Sequence, residues 1–283
     1  MDGVGAVSNS WVADNQAMNF SGGGVWMWAG GRLVNSVVVG NDANLHGGGV
    51  CCHDGGYMAH CTVVSNTAGE MGGGLYSSSA TSWNSIVYFN AATSSQNVYL
   101  ASSLIGYCCT TPNFGGGNFT NAPTFVDRVG RDFHLAAGSS CIDKGSTNSP
   151  VTHDYEGNPR PVAGTVGGQV KYDVGAYEYQ TAWDAGYTDI GGGWRRLTWF
   201  GDYVPMGGDG WIWHNKHGFM FATAGSVPSD IWFYTQDMGW LWTSSTTYPF
   251  LYRSSPAAWL WYNGATNPRW FRNMTAGTWE NRP

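Results

Sequence analysis

Charge is scarce in this 283-residue chain: 11% of its residues are charged, against roughly 25% in an average soluble protein. The strong helix formers are few, with three lysines, four glutamates and ten leucines. Such a composition cannot supply a helical bundle or a sheet flanked by helices, which leaves an all-β fold. Long apolar runs are missing as well. None approaches the roughly 18 to 20 residues needed to cross a bilayer as a helix, so no membrane span is expected. Arg32 is the single Lys or Arg in the first 120 residues and the net charge is −6, which argues against nucleic acid as a partner. No basic stretch followed by an apolar one comes after Met1, so no secretory leader is visible. Six cysteines, with abundant Asn, Ser, Thr and Trp, nevertheless read as extracellular or bacterial cell surface. The chain is expected to come from a longer exported protein.

What is present is glycine, 42 residues of it, and a repeat. Glycine triplets start at Gly22, Gly47 and Gly72, 25 residues apart, and each is followed in register by Val25, Val50 or Leu75. Between them recurs a second unit: NSWVADN, NSVVVGN, HCTVVSN and NSIVYFN, ending at Asn15, Asn41, Asn66 and Asn90. Two short strands per repeat are legible, each too short to bury a face alone. Stacking successive repeats pairs each strand with its copies above and below, at roughly 4.8 Å. The four asparagines then form a ladder whose amides donate and accept along the stack, and the glycines serve corners that need positive φ. The prediction is a right-handed parallel β-helix over residues 1–110.

This stretch resembles the pectin-lyase-like parallel β-helix repeats of large bacterial surface proteins. The resemblance extends through Tyr107-Cys108-Cys109-Thr110, Gly115-Gly116-Gly117-Asn118-Phe119, Ala122-Pro123-Thr124-Phe125-Val126-Asp127 and Asp132-Phe133-His134-Leu135. It continues in Ser139-Ser140-Cys141-Ile142-Asp143-Lys144-Gly145 and Asp154-Tyr155-Glu156-Gly157-Asn158-Pro159-Arg160-Pro161, and ends at Asp173-Val174-Gly175-Ala176-Tyr177-Glu178-Tyr179. It covers roughly residues 8–180 and implies that 111–180 are the terminal rungs and cap. It implies little about activity, because that family mixes lyases with adhesins.

Residues 181–193 read as a linker. From 194 to 283 short aromatic runs recur, separated by turns such as Asn215-Lys216-His217-Gly218, and twelve of the 16 tryptophans lie beyond residue 180. Aromatics at i and i+2 share one face of a strand, so a small antiparallel domain of β-hairpins is predicted. It resembles the aromatic domain that ends many large exported proteins of environmental bacteria. In style, though not in motif, it is similar to the hairpin repeats of cell-wall-binding modules. Two uses compete for the rings: a core built of aromatics, each burying 150–250 Å², or an exposed platform for stacking sugars. The candidate platform is Trp211, Trp213, Trp232, Trp240, Trp242, Trp259 and Trp261.

Candidate chemistry is thin. The coils offer Asp14, Asp42, Asp54 and Glu70, which do not share a register as a hydrolytic pair would. Asp143, Asp154, Asp173 and Glu178, with Arg160 and Lys171, read as hydrogen bonds and a salt bridge closing the end of the tube. His214 and His217 flank a turn without further ligands, and His60 replaces the asparagine found at 9, 35 and 84. No metal site, cofactor or catalytic residue is expected. The cysteines fall into two clusters, and the expected disulfides join Cys61 to Cys51 or Cys52, and Cys141 to Cys108 or Cys109. The leading functional expectation is a non-catalytic extracellular structural or adhesion protein, self-associating head to tail or stacking on coils of its parent chain, with surface glycans as partners. The alternative is a polysaccharide-degrading or glycan-binding fragment.

Overall fold

The computed structural model describes residues 5–162, 164, 169–180, 182–207, 210–223, 227–228 and 230–283; the first four residues of the segment leading into the first coil lie outside these. Among the described residues every regular element is a β-strand, and the chain divides into two compact units between Tyr179 and Gln180.

The first unit is a parallel β-solenoid of four coils. Each coil carries four short strands, where the sequence pattern predicts two, and equivalent strands stack into four parallel sheets. One sheet stacks Trp11–Ala13, Val37–Val39, Thr62–Val64, Ile86–Tyr88 and Cys109–Thr110. Alternation across these strands sends Val12, Val38, Val63 and Val87 into the tube in one column. They meet Leu33, Met58, Val50, Leu75 and Val98 from the other sheets, each stabilising the fold by about 1.5–3 kcal/mol on burial.

The asparagines run as a continuous column at one corner. The backbone N–H and side-chain Nδ2 of Asn15 both donate to Oδ1 of Asn41, at 3.0 and 2.9 Å. Asn41 donates in the same way to Asn66, and Asn66 to Asn90. Each Nδ2 also reaches strand carbonyls, as Asn66 does to Val38 and Val64 at 3.0 Å. A fifth member, Asn97, receives Asn90 and donates to Oγ1 of Thr111. Asn97 precedes Val98, so it holds the place of Gly24, Gly49 and Gly74 in earlier coils. A Cβ on Gly49 would press on Nδ2 of Asn66 at 2.9 Å, so glycine there leaves room for the column. In the last coil Asn97 swings its amide into the position that a further asparagine would take.

Of the segment expected to form terminal rungs and cap, Gly116 and Phe119 bond along Tyr107, Cys108 and Thr110 at the end of the last coil, while the part from Phe125 onward covers the flank of the tube. Phe125, Phe133, Leu135, Cys141, Val174, Ala176 and Tyr177 pack on the outward side of Val37, Val39, Val64 and Ile86. This is why the V-V-V run is apolar at every position: both of its faces are buried. The covering segment reaches back to the first coil, where Arg131 donates twice to Asp14 at 2.7 Å and Trp11 lies against Phe133. Its turns fill a second corner column: Asn9, Asn35 and Asn84 donate to the carbonyls of Asp154, His153 and Ser146.

The second unit is one antiparallel sheet of 11 strands in chain order, from Thr188–Gly191 to Thr278–Arg282. The expected linker is therefore partly built into the fold: Thr188–Gly191 is the first strand, and Trp183 packs on Phe200, Tyr203 and Phe233. Strict alternation separates the two faces. Leu197, Ile212, Met220, Ile231, Phe233, Leu241, Leu251, Leu260 and Phe271 are buried. Distant strands meet on this side, as where His217 lies against Tyr262 and Phe271.

Candidate functional site

All seven platform tryptophans project from the face opposite that core. Trp213, Trp240 and Trp259 are 46, 38 and 39% exposed, and Trp211, Trp232, Trp242 and Trp261 are half-buried among their neighbours. Every one alternates with a buried partner, as in Trp240-Leu241-Trp242-Thr243 and Trp259-Leu260-Trp261-Tyr262. None of the 16 tryptophans of the chain is buried. The buried core of the second unit uses Phe, Tyr and aliphatic side chains, with Trp183 and Trp199 packed against its edge, while the seven platform tryptophans lie on the opposite face. The same alternation adds Phe219, Tyr234, Tyr252, Trp270 and Trp279 to the outer face, and their i, i+2 spacing in the sequence was signal enough to include them.

The rings on this face brace one another. Trp211 stacks on Phe219 at 4.8 Å, Tyr234 meets Trp240 edge-on at 5.3 Å, and Trp242 meets Trp259 at 5.9 Å. Indole Nε1 of Trp242 donates to Asp230 at 2.6 Å, which fixes its plane. Such pairs hold the rings in place for contact with a flat apolar partner.

The solenoid carries an aromatic column of its own, on the outward side of Val25–Trp28, Val50–His53, Leu75–Ser77 and Val98–Leu100. Trp26 stacks on His53, His46 on Tyr76 and Tyr76 on Tyr99, the last pair 5.0 Å apart and 12° from parallel. These rings face one another along the stack, and Trp26 and Trp28 at its first-coil end are 45 and 60% exposed.

The acidic candidates are each engaged separately. Asp14 is bound by Arg131, Asp42 accepts from Gln16 and Glu70 lies 3.6 Å from His46; Asp54 is exposed. Asp154, Asp173 and Glu178 are buried in the flank segment. Arg160 pairs with Glu178 at 3.0 Å with both side chains fully buried, and Asp154 accepts backbone N–H groups from Glu156, Asn158 and Glu178. Asp173 accepts from the N–H of Asp143 and of Tyr179. Burial, and then the charge of Glu178, push Asp173 up to about 8. Lys171 sits in a backbone bridge with Val162.

His214 and His217 are buried and held by hydrogen bonds within the sheet. His214 accepts from the backbone N–H groups of Lys216 and His217, and burial draws it down to about 4. His217 is held by the hydroxyl of Tyr248. Among the described residues no group of three His, Cys, Asp or Glu could hold a metal ion, and no helix is long and apolar enough to cross a membrane.

No disulfide forms: all six cysteines are free and buried. Cys61 and Cys108 take serine positions in the repeat and are engaged as the serines are. Ser10, Ser36 and Ser85 each donate to the carbonyl two residues earlier, and the thiols of Cys61 and Cys108 donate in the same way to Ala59 and Gly106 at 3.3 Å. Burial pushes Cys51, Cys61 and Cys108 up to about 12, leaving unreactive thiols.

No family model, curated protein or solved structure matches this chain.

Proposed function

We propose that this chain is a non-catalytic structural and adhesive protein of the extracellular space or a bacterial cell surface, with the aromatic face of its second unit contacting carbohydrate. One observation carries the reading: seven tryptophans share the outer side of one sheet while aliphatic, Phe and Tyr side chains fill the other. A contiguous apolar surface of this kind marks an interaction site in proteins generally. Ring faces backed by fixed neighbours suit the apolar faces of pyranose rings. The likeness of the repeat to those of bacterial surface proteins supports the location. The separate engagement of the coil carboxylates supports a role without turnover.

The same reading assigns the first coil a stacking partner, another β-solenoid coil from a second copy or the parent chain. Ala6–Ser8, Trp11–Ala13, Gln16–Ala17 and Val25–Trp28 are the terminal strands of their sheets. Beside them Met18 and Phe20 are each 67% exposed and Trp28 60%. Paired strand edges and covered apolar side chains are what a stacked coil supplies.

Affinity electrophoresis through gels containing neutral or acidic polysaccharide tests the surface. Retardation is expected for the unaltered protein, weakened about three- to tenfold by each of Trp240→Ala and Trp259→Ala, with the cooperative unfolding transition of the second unit retained. Unsaturated products or new reducing ends from a uronate polymer would overturn the non-catalytic reading. Sedimentation and electron microscopy across a concentration series test stacking, and a monomer at all concentrations would remove self-association.

A further inference from the structure

We propose that one end of the second unit's sheet holds a pocket for a single anionic pyranose residue, a uronate or a sulfated sugar, within a polysaccharide. This deepens the carbohydrate reading above and rests on it. The pocket is an open cleft of about 390 Å³, within the range of small-ligand sites. It forms where the turn after Trp211–His214 and the turn after Ile231–Thr235 meet the start of Arg269–Asn273.

Arg269 builds the frame. It is 5% exposed, and its guanidinium donates to the carbonyl of His217 at 3.1 Å, to Asp237 at 2.6 Å and to the carbonyl of Pro283 at 3.1 and 3.0 Å. Its charge is balanced by Asp237, and the two hold both turns in place. Lys216 differs. It lines the pocket and enters no ion pair among the described residues. The carboxylate that feels its charge, Asp202, is bound through both oxygens by Arg196. His214 and His217 are kept neutral by burial. Lys216 is thus the one charged side chain lining the pocket that has no ion pair among the described residues.

The remaining lining matches a sugar. Trp213 offers an indole that is 46% exposed, and Gln236 and Thr266 offer an exposed amide and an exposed hydroxyl. A ring wall fits the apolar face of a pyranose, the amide and hydroxyl fit its hydroxyl groups, and the free ammonium fits a carboxylate or sulfate. A neutral sugar would use the first three and leave the fourth without a partner.

Isothermal titration with trigalacturonate and with the neutral trimer cellotriose tests the assignment. The acidic trimer is expected to bind about tenfold more tightly at low salt, the scale of one partly exposed charge-assisted contact. Lys216→Met should erase that preference, leaving the affinity for cellotriose unchanged. Trp213→Ala should weaken both trimers. Lys171→Met, which removes the same charge from the other unit, should change neither. Equal binding of the two trimers, or an acidic preference that survives Lys216→Met, overturns the pocket. If polymers are still retarded through Trp240 and Trp259 while neither trimer binds, the pocket falls and the wider surface stands. If no carbohydrate binds at all, both fall. A sulfated trimer bound in place of the uronate, and lost in Lys216→Met, supports the same site with the other anion.

Discussion

The solenoid and the C-terminal sheet both bury aliphatic side chains, but they differ in where they place polar ones. At the corners of the solenoid, amides and hydroxyls run in columns, and each asparagine satisfies backbone groups that short strands leave open. The tryptophans and tyrosines of the coils lie outside, while Tyr172 and Tyr177 of the flank segment are buried. In the C-terminal sheet an unbroken hairpin ladder pairs most of the backbone, and the interior takes aliphatics, Phe and Tyr. Charge enters that side as compact pairs such as Arg253 with Glu280 at 2.7 Å. A coil with four corners must solve a polar problem at every turn, whereas a meander solves it in its hairpins. On the coils and on the outer face of the sheet tryptophan is left toward solvent, in ring contacts on the coils and on an open face in the sheet.

The sharpest way to break this contrast is to remove one rung of the column. Asn66→Leu leaves the N–H and Nδ2 of Asn41 and the carbonyls of Val38 and Val64 short of partners. At about 1–3 kcal/mol for each buried group, the solenoid is expected to lose its cooperative transition. The C-terminal unit, followed by near-ultraviolet circular dichroism of its tryptophans, should keep its own. Coincident loss of both transitions would show that the two units do not fold independently.

A somewhat smaller effect is expected from Gly48→Ala. A Cβ at Gly48 runs into the backbone carbonyls of Thr67 and Gly73, neither of which can rotate away. Overpacking of this kind costs about 1–3 kcal/mol or more, read as a lower urea midpoint for the solenoid alone. Gly218→Ala is the matched change in the sheet, where the Cβ meets nothing within 4 Å and the cost comes from a φ of +73°.

Changes of pH should act on the units in opposite directions. Asp173 binds its proton more tightly folded than unfolded, so its contribution is complete below its ordinary value of 3.8 and is lost as pH rises toward about 8. His134 acts with the same sign: burial lowers it, but its bonds to Asp132 and Glu156 leave it above its ordinary value. In the sheet, burial holds His214 near 4 and His217 well below 6.5, so stability is complete above 6.5 and is lost as pH falls. His60 gives the solenoid a share of that acid loss, which makes pH 6.5 to 8 the informative window. There the solenoid should weaken while the sheet holds, and Asp173→Asn should flatten the decline. Parallel pH profiles for the two units would contradict this.

The smallest expected effect is a gain. Nδ1 of His60 is buried without a hydrogen-bond partner, and His60 occupies the positive-φ corner held elsewhere by Asn9, Asn35 and Asn84. His60→Asn should raise the stability of the solenoid by about 1 kcal/mol. A loss of stability would mean that the contact of the His60 ring with Ser149 and Tyr172 outweighs the orphaned nitrogen.

Much of this was legible in one dimension. The 25-residue period and the four asparagines point to stacked coils, because a column needs the same side chain at the same arc length in each turn. The i, i+2 aromatics point to one face of a sheet, because successive strand residues alternate sides. These are local regularities, and the sequence by itself determines the all-β class, the repeat and the sidedness of the tryptophans. Four strands per coil were not legible, because two of them are too irregular in composition to show a period. Only the tertiary structure decides that residues 125–179 turn back along the flank, that Asn97 closes the column from a glycine position, and that Arg269 meets His217 and Asp237. Those contacts join residues up to 146 positions apart, as between Asn9 and Tyr155. Their partners are chosen by which surfaces remain uncovered after the coils and hairpins have formed, which local composition does not encode.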